Sequence, residues 1–203
     1  MNANSIILII AAYLLGSLSF AIILSKLFKL QDPRSYGSKN PGATNVLRSG
    51  NKIVALLTLL GDGIKGWAIV FLSIQYASPL GLTEEAICII AIAVVVGHMF
   101  PIFFKFKGGK GVATAAGVFC AFSPMLTLIL FIICLTLALA LRISSVAGIA
   151  VSIFAPLLSL YFVPINTYRW PILVISIFVI LRHHENIRKL IHKEENKIGE
   201  KIR

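Results

Sequence analysis

Charged residues are scarce in this sequence. They make up 13% of its 203 residues, whereas a soluble domain of this size carries about 25%. Hydrophobic residues make up 58%, and apolar runs near or above the roughly 18 residues that a spanning helix needs recur along the chain. The composition excludes a soluble globular domain and predicts an all-α, polytopic membrane protein. We expect residues 1–203 to form one membrane-embedded domain, since no stretch is polar enough for a separate soluble one.

Motifs for metals, nucleotides and nucleic acids are also missing. The three cysteines lie within apolar runs without C-x-x-C spacing, which favours buried thiols over a metal site or disulfide. No aspartate cluster suits Mg²⁺, and a phenylalanine stands where a Walker A loop requires its first glycine. The net charge of +11 is accompanied by no RNA-recognition or helix-turn-helix pattern. We therefore expect no metal, no cofactor, no nucleic acid partner and no obligate protein partner.

Two acyl-transfer signatures are absent as well. No histidine is followed by an aspartate at the spacing of the H-x-x-x-x-D acyltransferase motif, and there is no G-x-S-x-G nucleophile elbow. If the chain transfers an acyl group, it uses neither of these devices.

Seven apolar segments can be marked out instead. They cover residues 4–28, 53–77, 86–104, 111–123, 124–141, 145–163 and 168–181. The first lacks the basic residues that begin a signal peptide, so we expect it to be retained as a helix. The region 111–141 allows one long tilted helix or two shorter ones, because the proline at Pro124 disfavours helical backbone at Ser123.

The distribution of positive charge decides between these two topologies. With two helices in 111–141 the chain crosses seven times, and 17 of its 19 basic residues fall on one face of the membrane. One long helix would place the basic tail from Arg182 opposite the other basic loops. Because basic loops stay in the cytoplasm, we predict seven transmembrane helices, an N-terminus outside and a cytoplasmic C-terminus. Both helices of the 111–141 hairpin are short, so its full crossing of the bilayer is left open.

The first loop on this face, GSKNPGATNVLR at 37–48, contains a predicted helix start. Asn40 suits the capping position and Pro41 the first helical turn. The free amides of such a turn, with Ser38 before it and Arg48 beyond it, suit an anion. The alternative is an ordinary capped helix at the membrane surface.

The second loop, KFKGGKG at 105–111, combines glycines with lysines. Gly108 and Gly109 permit close approach of a ligand to the backbone, and a helix beginning at Gly111 would present its positive end to it. Lys107 and Lys110 add full charges. The alternative is that these lysines only anchor helix ends to lipid headgroups.

The third segment, RHHENIRKL at 182–190, lies where the last helix leaves the membrane. It offers a base, a carboxylate and an amide in His183, Glu185 and Asn186. A histidine with a free pKa of about 6.5 can accept a proton at cytoplasmic pH, although a structural histidine is the alternative. Elsewhere, Asp62 and Lys65 are expected to pair or to line a polar cavity.

Together these segments resemble the bacterial acyl-phosphate-dependent glycerol-3-phosphate acyltransferases, the PlsY family. The resemblance rests on GSKNPGATNVLR, GHMFPIFFKFKGGKGVAT at 97–114, RHHENIRKL and GDGIKG at 61–66, in order along nearly the whole chain. It implies catalytic roles for Ser38, Arg48, Lys110, His183 and Asn186. It also implies substrate binding by Asn40, Gly42, Asn45, Lys107, Gly108, Gly109, Gly111 and Glu185, and by a serine near Arg142, either Ser144 or Ser145.

The implied reaction transfers a fatty acyl group from acyl phosphate to the 1-hydroxyl of sn-glycerol 3-phosphate, giving lysophosphatidate and phosphate. It takes place at the cytoplasmic face of the bacterial inner membrane, with the lipid bilayer holding the acyl chain. Both substrates carry phosphate, which agrees with two cationic glycine-bearing loops. Acyl phosphate has a good leaving group, so orientation and charge neutralisation suffice, and the proton acceptor is either His183 or a substrate phosphate. A small transporter for an organic phosphate is the alternative, although such folds often carry internal repeats and none is visible.

Overall fold

The computed structural model describes residues 1–198, and every regular element in that range is helical. The α-helices are α1 Ala3–Gly16, α2 Phe20–Leu27, α3 Ala43–Leu47, α4 Lys52–Gln75, α5 Ala77–Leu80, α6 Glu84–Met99, α7 Val112–Phe122, α8 Pro124–Leu141, α9 Ser144–Phe162, α10 Arg169–Arg182 and α11 His184–Ile191. The predicted all-α class is confirmed for this part of the chain.

The first apolar segment is two helices rather than one. α1 and α2 meet at an angle of 46°, and the residues between them, Ser17–Ser19, are non-helical. The last carbonyls of a helix have no partner within it. Here the carbonyls of Gly16 and Leu18 accept hydrogen bonds from the ammonium of Lys65, at 2.8 and 2.7 Å. A cation on α4 thus stabilises the break.

The break predicted between residues 123 and 124 is present. Ser123 has an extended backbone with φ −158°, and its side chain accepts a hydrogen bond from the amide of Leu126. Pro124 follows as the first residue of α8, where its missing N–H costs nothing. The two-helix alternative for 111–141 is therefore confirmed as a helix break.

Several helices are long and apolar enough to cross a membrane. They are Lys52–Gln75, Glu84–Phe104, Pro124–Leu141 and Ser144–Phe162, and the bent α1–α2 pair makes a fifth candidate. α7 has 11 residues, which at 1.5 Å per residue gives a length of roughly 16 Å. A membrane protein with several spans follows from these lengths, while the count of seven stays a prediction.

Close packing joins the short α7 to α4. A Cβ at Gly66 of α4 would lie 2.3 Å from the carbonyl oxygen of Thr114, and one at Gly117 of α7 would lie 2.0 Å from that of Gly63. Small residues let membrane helices approach to this distance. The short α7 is thereby fixed against α4, while α8 buries only Leu126 and Leu130 and leaves most of its apolar surface outward.

Candidate active site

A cavity of about 630 Å³ lies between α4, α7, α8, α9 and the two loops that precede α3 and α7. One end is polar and is lined by Ser38, Asn40, Arg48, Lys110, Ser144, Ser145, His183, Asn186 and Glu195. The other end is an apolar arm lined by Leu59, Leu60, Trp67, Phe119, Leu130 and Phe131, among others. The three loops that were singled out in the sequence therefore meet in one cavity.

The apolar arm reaches the outer surface of the helix bundle. Leu59 and Leu60 on α4 line it and are also 47% and 49% exposed, and Phe131 on α8 is 58% exposed. These side chains face the region where lipid would lie. A molecule with a polar head and a hydrocarbon chain fits such a cavity with its head at the polar end.

The loop before α3 is held together by Asn45. Its side-chain oxygen accepts from the amide of Ser38 at 3.1 Å, and its side-chain nitrogen donates to the carbonyls of Pro33 and Tyr36 at 2.6 and 3.2 Å. Asn45 is buried and borders the cavity. Its contacts fix the position of Ser38 and so shape the polar end.

The predicted helix start in this loop was wrong. α3 begins at Ala43, its N-cap is Gly42, and no side chain caps it. Asn40 instead accepts a hydrogen bond from the amide of Gly42 through its own carbonyl, at 3.0 Å. The physical reason is that the side chain of Asn45 holds residues 33–38 as a loop against α3, so the chain turns helical only at Ala43, beyond Asn40 and Pro41.

Arg48 supplies an unsatisfied donor at the polar end. Its Nη1 atom is buried and has no hydrogen-bond partner within residues 1–198. A buried donor without a partner is rare in proteins, and a guanidinium is suited to carboxylate or phosphate oxygens. Arg48 is therefore prepared to bind an anion in the cavity.

The glycines of the second loop contact the protein itself. A Cβ at Gly108 would lie 2.2 Å from the carbonyl oxygen of His98, and one at Gly109 would lie 2.2 Å from its Nε2. Arg182 donates to the carbonyls of both glycines, at 3.0 and 3.3 Å. Gly108 and Gly109 do not line the cavity, whereas Lys110 and Gly111 do. The absent side chains thus permit the loop to fold against α6.

Two other predicted binding residues lie outside the cavity. Lys107 and Glu185 are both exposed and do not border it. Glu185 nevertheless acts on the site through its charge: burial lowers the pKa of Lys110, and the Glu185 carboxylate opposes a part of that lowering.

Lys110 supplies a second full positive charge at the polar end, in addition to that of Arg48. Burial lowers the pKa of its ammonium to about 8, the Glu195 carboxylate opposes this shift, and the charge of Arg48 adds to it. Gly111, which follows, has a φ of 88°, in the left-handed region that glycine tolerates best. This turn aims Lys110 and the first amides of α7 at the cavity.

His183 is held in one tautomer. Its Nδ1 lies 2.7 Å from the carbonyl oxygen of Val179, and because a carbonyl only accepts, we assign the ring proton to Nδ1. The unprotonated Nε2 then lies on the side of Gly148, which also lines the cavity. Burial, followed by the charge of Lys110, lowers the pKa of His183 to about 4. The imidazole is therefore neutral at pH 7 with Nε2 free to accept, but the lowered pKa makes it a weaker proton acceptor than a free histidine.

Glu195 is a site residue that the sequence did not reveal. The alternating charges of the tail are typical of a solvated helix end, but the chain beyond Ile191 leaves the helix and returns to the cavity. Glu195 Oε1 accepts from Ser145 Oγ at 2.7 Å and from Asn186 Nδ2 at 2.6 Å. The amide of Ile198 donates to the carbonyl of Arg142, which holds the tail in place. Both Ser144 and Ser145 line the cavity, and Ser145 is the one bonded to Glu195.

A family model described as glycerol-3-phosphate acyltransferase matches residues 6–193. The chain belongs to this family. Glycerol-3-phosphate acyltransferases of Neisseria meningitidis (serogroup C, serotype 2a) and Paraburkholderia phymatum are 52% and 49% identical to it, over 190 and 198 residues. The matches cover 94% and 98% of this chain and 95% and 94% of those relatives.

Two solved structures show the same fold. Both are of PlsY (YgiH), an integral membrane glycerol 3-phosphate acyltransferase, in its glycerol 3-phosphate form and its lysophosphatidic acid form. Their TM-scores are 0.87 and 0.85, and their sequences are 39% and 38% identical to this one. Both alignments cover 96% of this chain, and they cover 96% and 95% of the solved chains. The resemblance to PlsY acyltransferases seen in the sequence is thus confirmed, as is the membrane character of this family member.

Proposed function

We propose that this acyltransferase moves a fatty acyl group from acyl phosphate to the 1-hydroxyl of sn-glycerol 3-phosphate. The products are 1-acylglycerol 3-phosphate (lysophosphatidate) and phosphate, an early step of bacterial phospholipid synthesis. The observation that carries the proposal is one cavity with Arg48 and Lys110 at its polar end and an apolar arm that reaches the outer surface. The glycerol 3-phosphate and lysophosphatidic acid forms of PlsY support the same substrate and product.

The chemistry needs no covalent intermediate. The substrate hydroxyl oxygen attacks the acyl carbon, the bond from that carbon to the phosphate oxygen breaks, and phosphate leaves with the electron pair. Arg48 and Lys110 neutralise the phosphates of the two substrates. The hydroxyl proton goes to Nε2 of His183 or to a substrate phosphate.

The remaining polar residues orient the substrates in this scheme. Ser38, Asn40, Asn186 and a serine of the pair Ser144 and Ser145 surround the reacting groups with donors and acceptors. Gly42, Asn45, Gly108, Gly109 and Gly111 shape the two loops. Outside the cavity, Lys107 attracts anions toward the mouth, and Glu185 favours the charged form of Lys110.

The donor assignment has a direct test. We expect the purified chain, given labelled glycerol 3-phosphate and acyl phosphate, to form lysophosphatidate. ATP should not be needed, because the sequence carries no nucleotide loop, and neither should added metal or another protein. Acyl-CoA should replace acyl phosphate poorly. Efficient turnover with acyl-CoA and none with acyl phosphate would contradict the assignment of acyl phosphate as the donor. Uptake of glycerol 3-phosphate into vesicles without product would instead indicate the transporter alternative, which the apolar arm does not favour.

We further propose seven crossings of the bacterial inner membrane, with the site facing the cytoplasm. The support is the grouping of 17 of 19 basic residues on one face, together with the helix break at Ser123, which permits a hairpin of α7 and α8. A reporter fused to the C-terminus should be active only in the cytoplasm, and one fused to the N-terminus only outside. A C-terminal reporter that is active only outside would overturn both the topology and the location of the site.

A further inference from the structure

A buried polar cluster lies beneath the second loop, and two of its members, Asp62 and His98, also border the cavity. The proposed reaction assigns none of them a role. Lys65 Nζ is 2.8 Å from Asp62 Oδ1 and 3.1 Å from His98 Nδ1, and the Asp62 and His98 atoms are 3.4 Å apart. All three side chains are buried. Ionic groups within a membrane bundle are costly and usually serve a function.

The hydrogen bonds of Lys65 bear on which nitrogen of His98 carries the ring proton. An ammonium has three N–H donors and no acceptor, and Lys65 uses two of them on the carbonyls of Gly16 and Leu18. The third is left for Asp62 and His98. If Nδ1 of His98 accepts from Lys65, its proton is on Nε2, the nitrogen that faces Gly109.

His98 then connects this cluster to the second loop. Its carbonyl accepts the amide of Gly109 at 3.1 Å, and its ring fills the space where a side chain at Gly109 would be. Lys110 is the next residue. A displacement of the His98 ring would therefore move Lys110 relative to the cavity.

We propose that Asp62, Lys65 and His98 are positioning residues that join the break between α1 and α2 to the second loop and so set where Lys110 meets phosphate. The proposal rests on the phosphate-binding role proposed for Lys110. It differs from a purely structural role, in which the cluster would only stabilise the fold and would leave substrate affinity unchanged in folded protein.

The test begins with the substrate that Lys110 holds. Lys110→Ala shows which of the two substrates loses affinity, by KM and by equilibrium Kd. Lys65→Met, which keeps length but removes charge, should raise both constants for that same substrate by about 10-fold, the usual loss when a supporting partner behind a binding group is removed. The constants for the other substrate should change much less. Lys52→Met, on an exposed position of the same helix, is the matched control and should change neither.

Three outcomes decide the proposal. Non-additive losses in the double variant of Lys65→Met and Lys110→Ala would support it, because residues that act through one another do not add. Unchanged affinities for both substrates in folded Lys65→Met would overturn it. If that variant does not fold, His98→Asn decides in its place, because an asparagine oxygen can still accept from Lys65 while the ring is lost. The same selective rise in KM and Kd supports the proposal, and unchanged constants overturn it. Measuring Kd separately from turnover distinguishes a failure of this proposal from a failure of the proposed reaction.

Discussion

Replacing Lys110 with alanine should lower acyl transfer by roughly 10²-fold or more, the loss seen when one preorganised charge-stabilising group is removed. Lys110 lines the polar end of the cavity, where few other full positive charges are available to a substrate phosphate. The measurement is kcat/KM for lysophosphatidate formation by protein shown to be folded.

Two variants in the same loop serve as controls. Gly109→Ala removes no charge, yet it should also reduce activity, because its Cβ would lie 2.2 Å from Nε2 of His98 and would displace the loop. Lys105→Ala should matter much less, since Lys105 is exposed and anchoring to headgroups is shared with many basic residues. Similar small losses in all three would mean that the loop is only a lipid anchor and that phosphate binds at Arg48 and the 37–42 turn.

The pH profile offers a second measurement of the same residue. Burial lowers the pKa of Lys110 to about 8, and an amine loses its charge as the pH rises above its pKa. Activity that depends on the Lys110 ammonium should therefore decline as the pH passes through about 8. In the Lys110→Arg variant the guanidinium stays charged, so this decline should disappear even if the overall rate is lower.

Replacing His183 with alanine should lower kcat by about 10²–10⁴-fold if His183 is the general base. The hydrogen bond from Nδ1 to Val179 leaves Nε2 unprotonated. The pKa of about 4 keeps the ring neutral at pH 7 but also makes it a weak base, which favours the lower end of this range. Rates are best measured at saturating concentrations of both substrates, so that losses of affinity do not contribute.

His184→Ala is the matched control, because His184 is exposed and its Nδ1 lies against the carbonyl of Leu181. It should retain nearly full activity. If His183→Ala lowers kcat by less than about 10-fold, the loss is smaller than the usual contribution of a general base. A substrate phosphate then accepts the proton, and His183 only orients the hydroxyl.

Much of the helical framework could be predicted from local sequence. Long apolar runs, Pro124 and the grouping of basic residues depend on neighbouring residues alone, and they gave the segments and the break at Ser123. The meeting of Arg48, Lys110, His183 and Asn186 in one cavity also followed, because each lies in a segment that the pattern of basic residues places on the same face of the membrane.

Features that depend on distant residues were missed. The break at Ser17–Ser19 is stabilised by Lys65, far along the chain, and no local pattern marks it. Glu195 lies in a charged tail that reads as solvated until Ser145 and Asn186 bind it. The glycines at 108 and 109 were expected to approach a ligand, whereas they approach His98 of α6, a contact that no local pattern marks.

The apolar arm reaches the outer surface at Leu59, Leu60 and Phe131. This opening determines how the concentrations of donor and product must be expressed. In the proposed reaction the donor enters, and the product leaves, sideways through the hydrocarbon of the bilayer. Their effective concentrations are then mole fractions in a two-dimensional phase, while glycerol 3-phosphate is counted per volume of cytoplasm. Expansion of the membrane during growth dilutes one substrate without changing the other, so the rate of lipid synthesis is coupled to the area of membrane that the lipid itself creates.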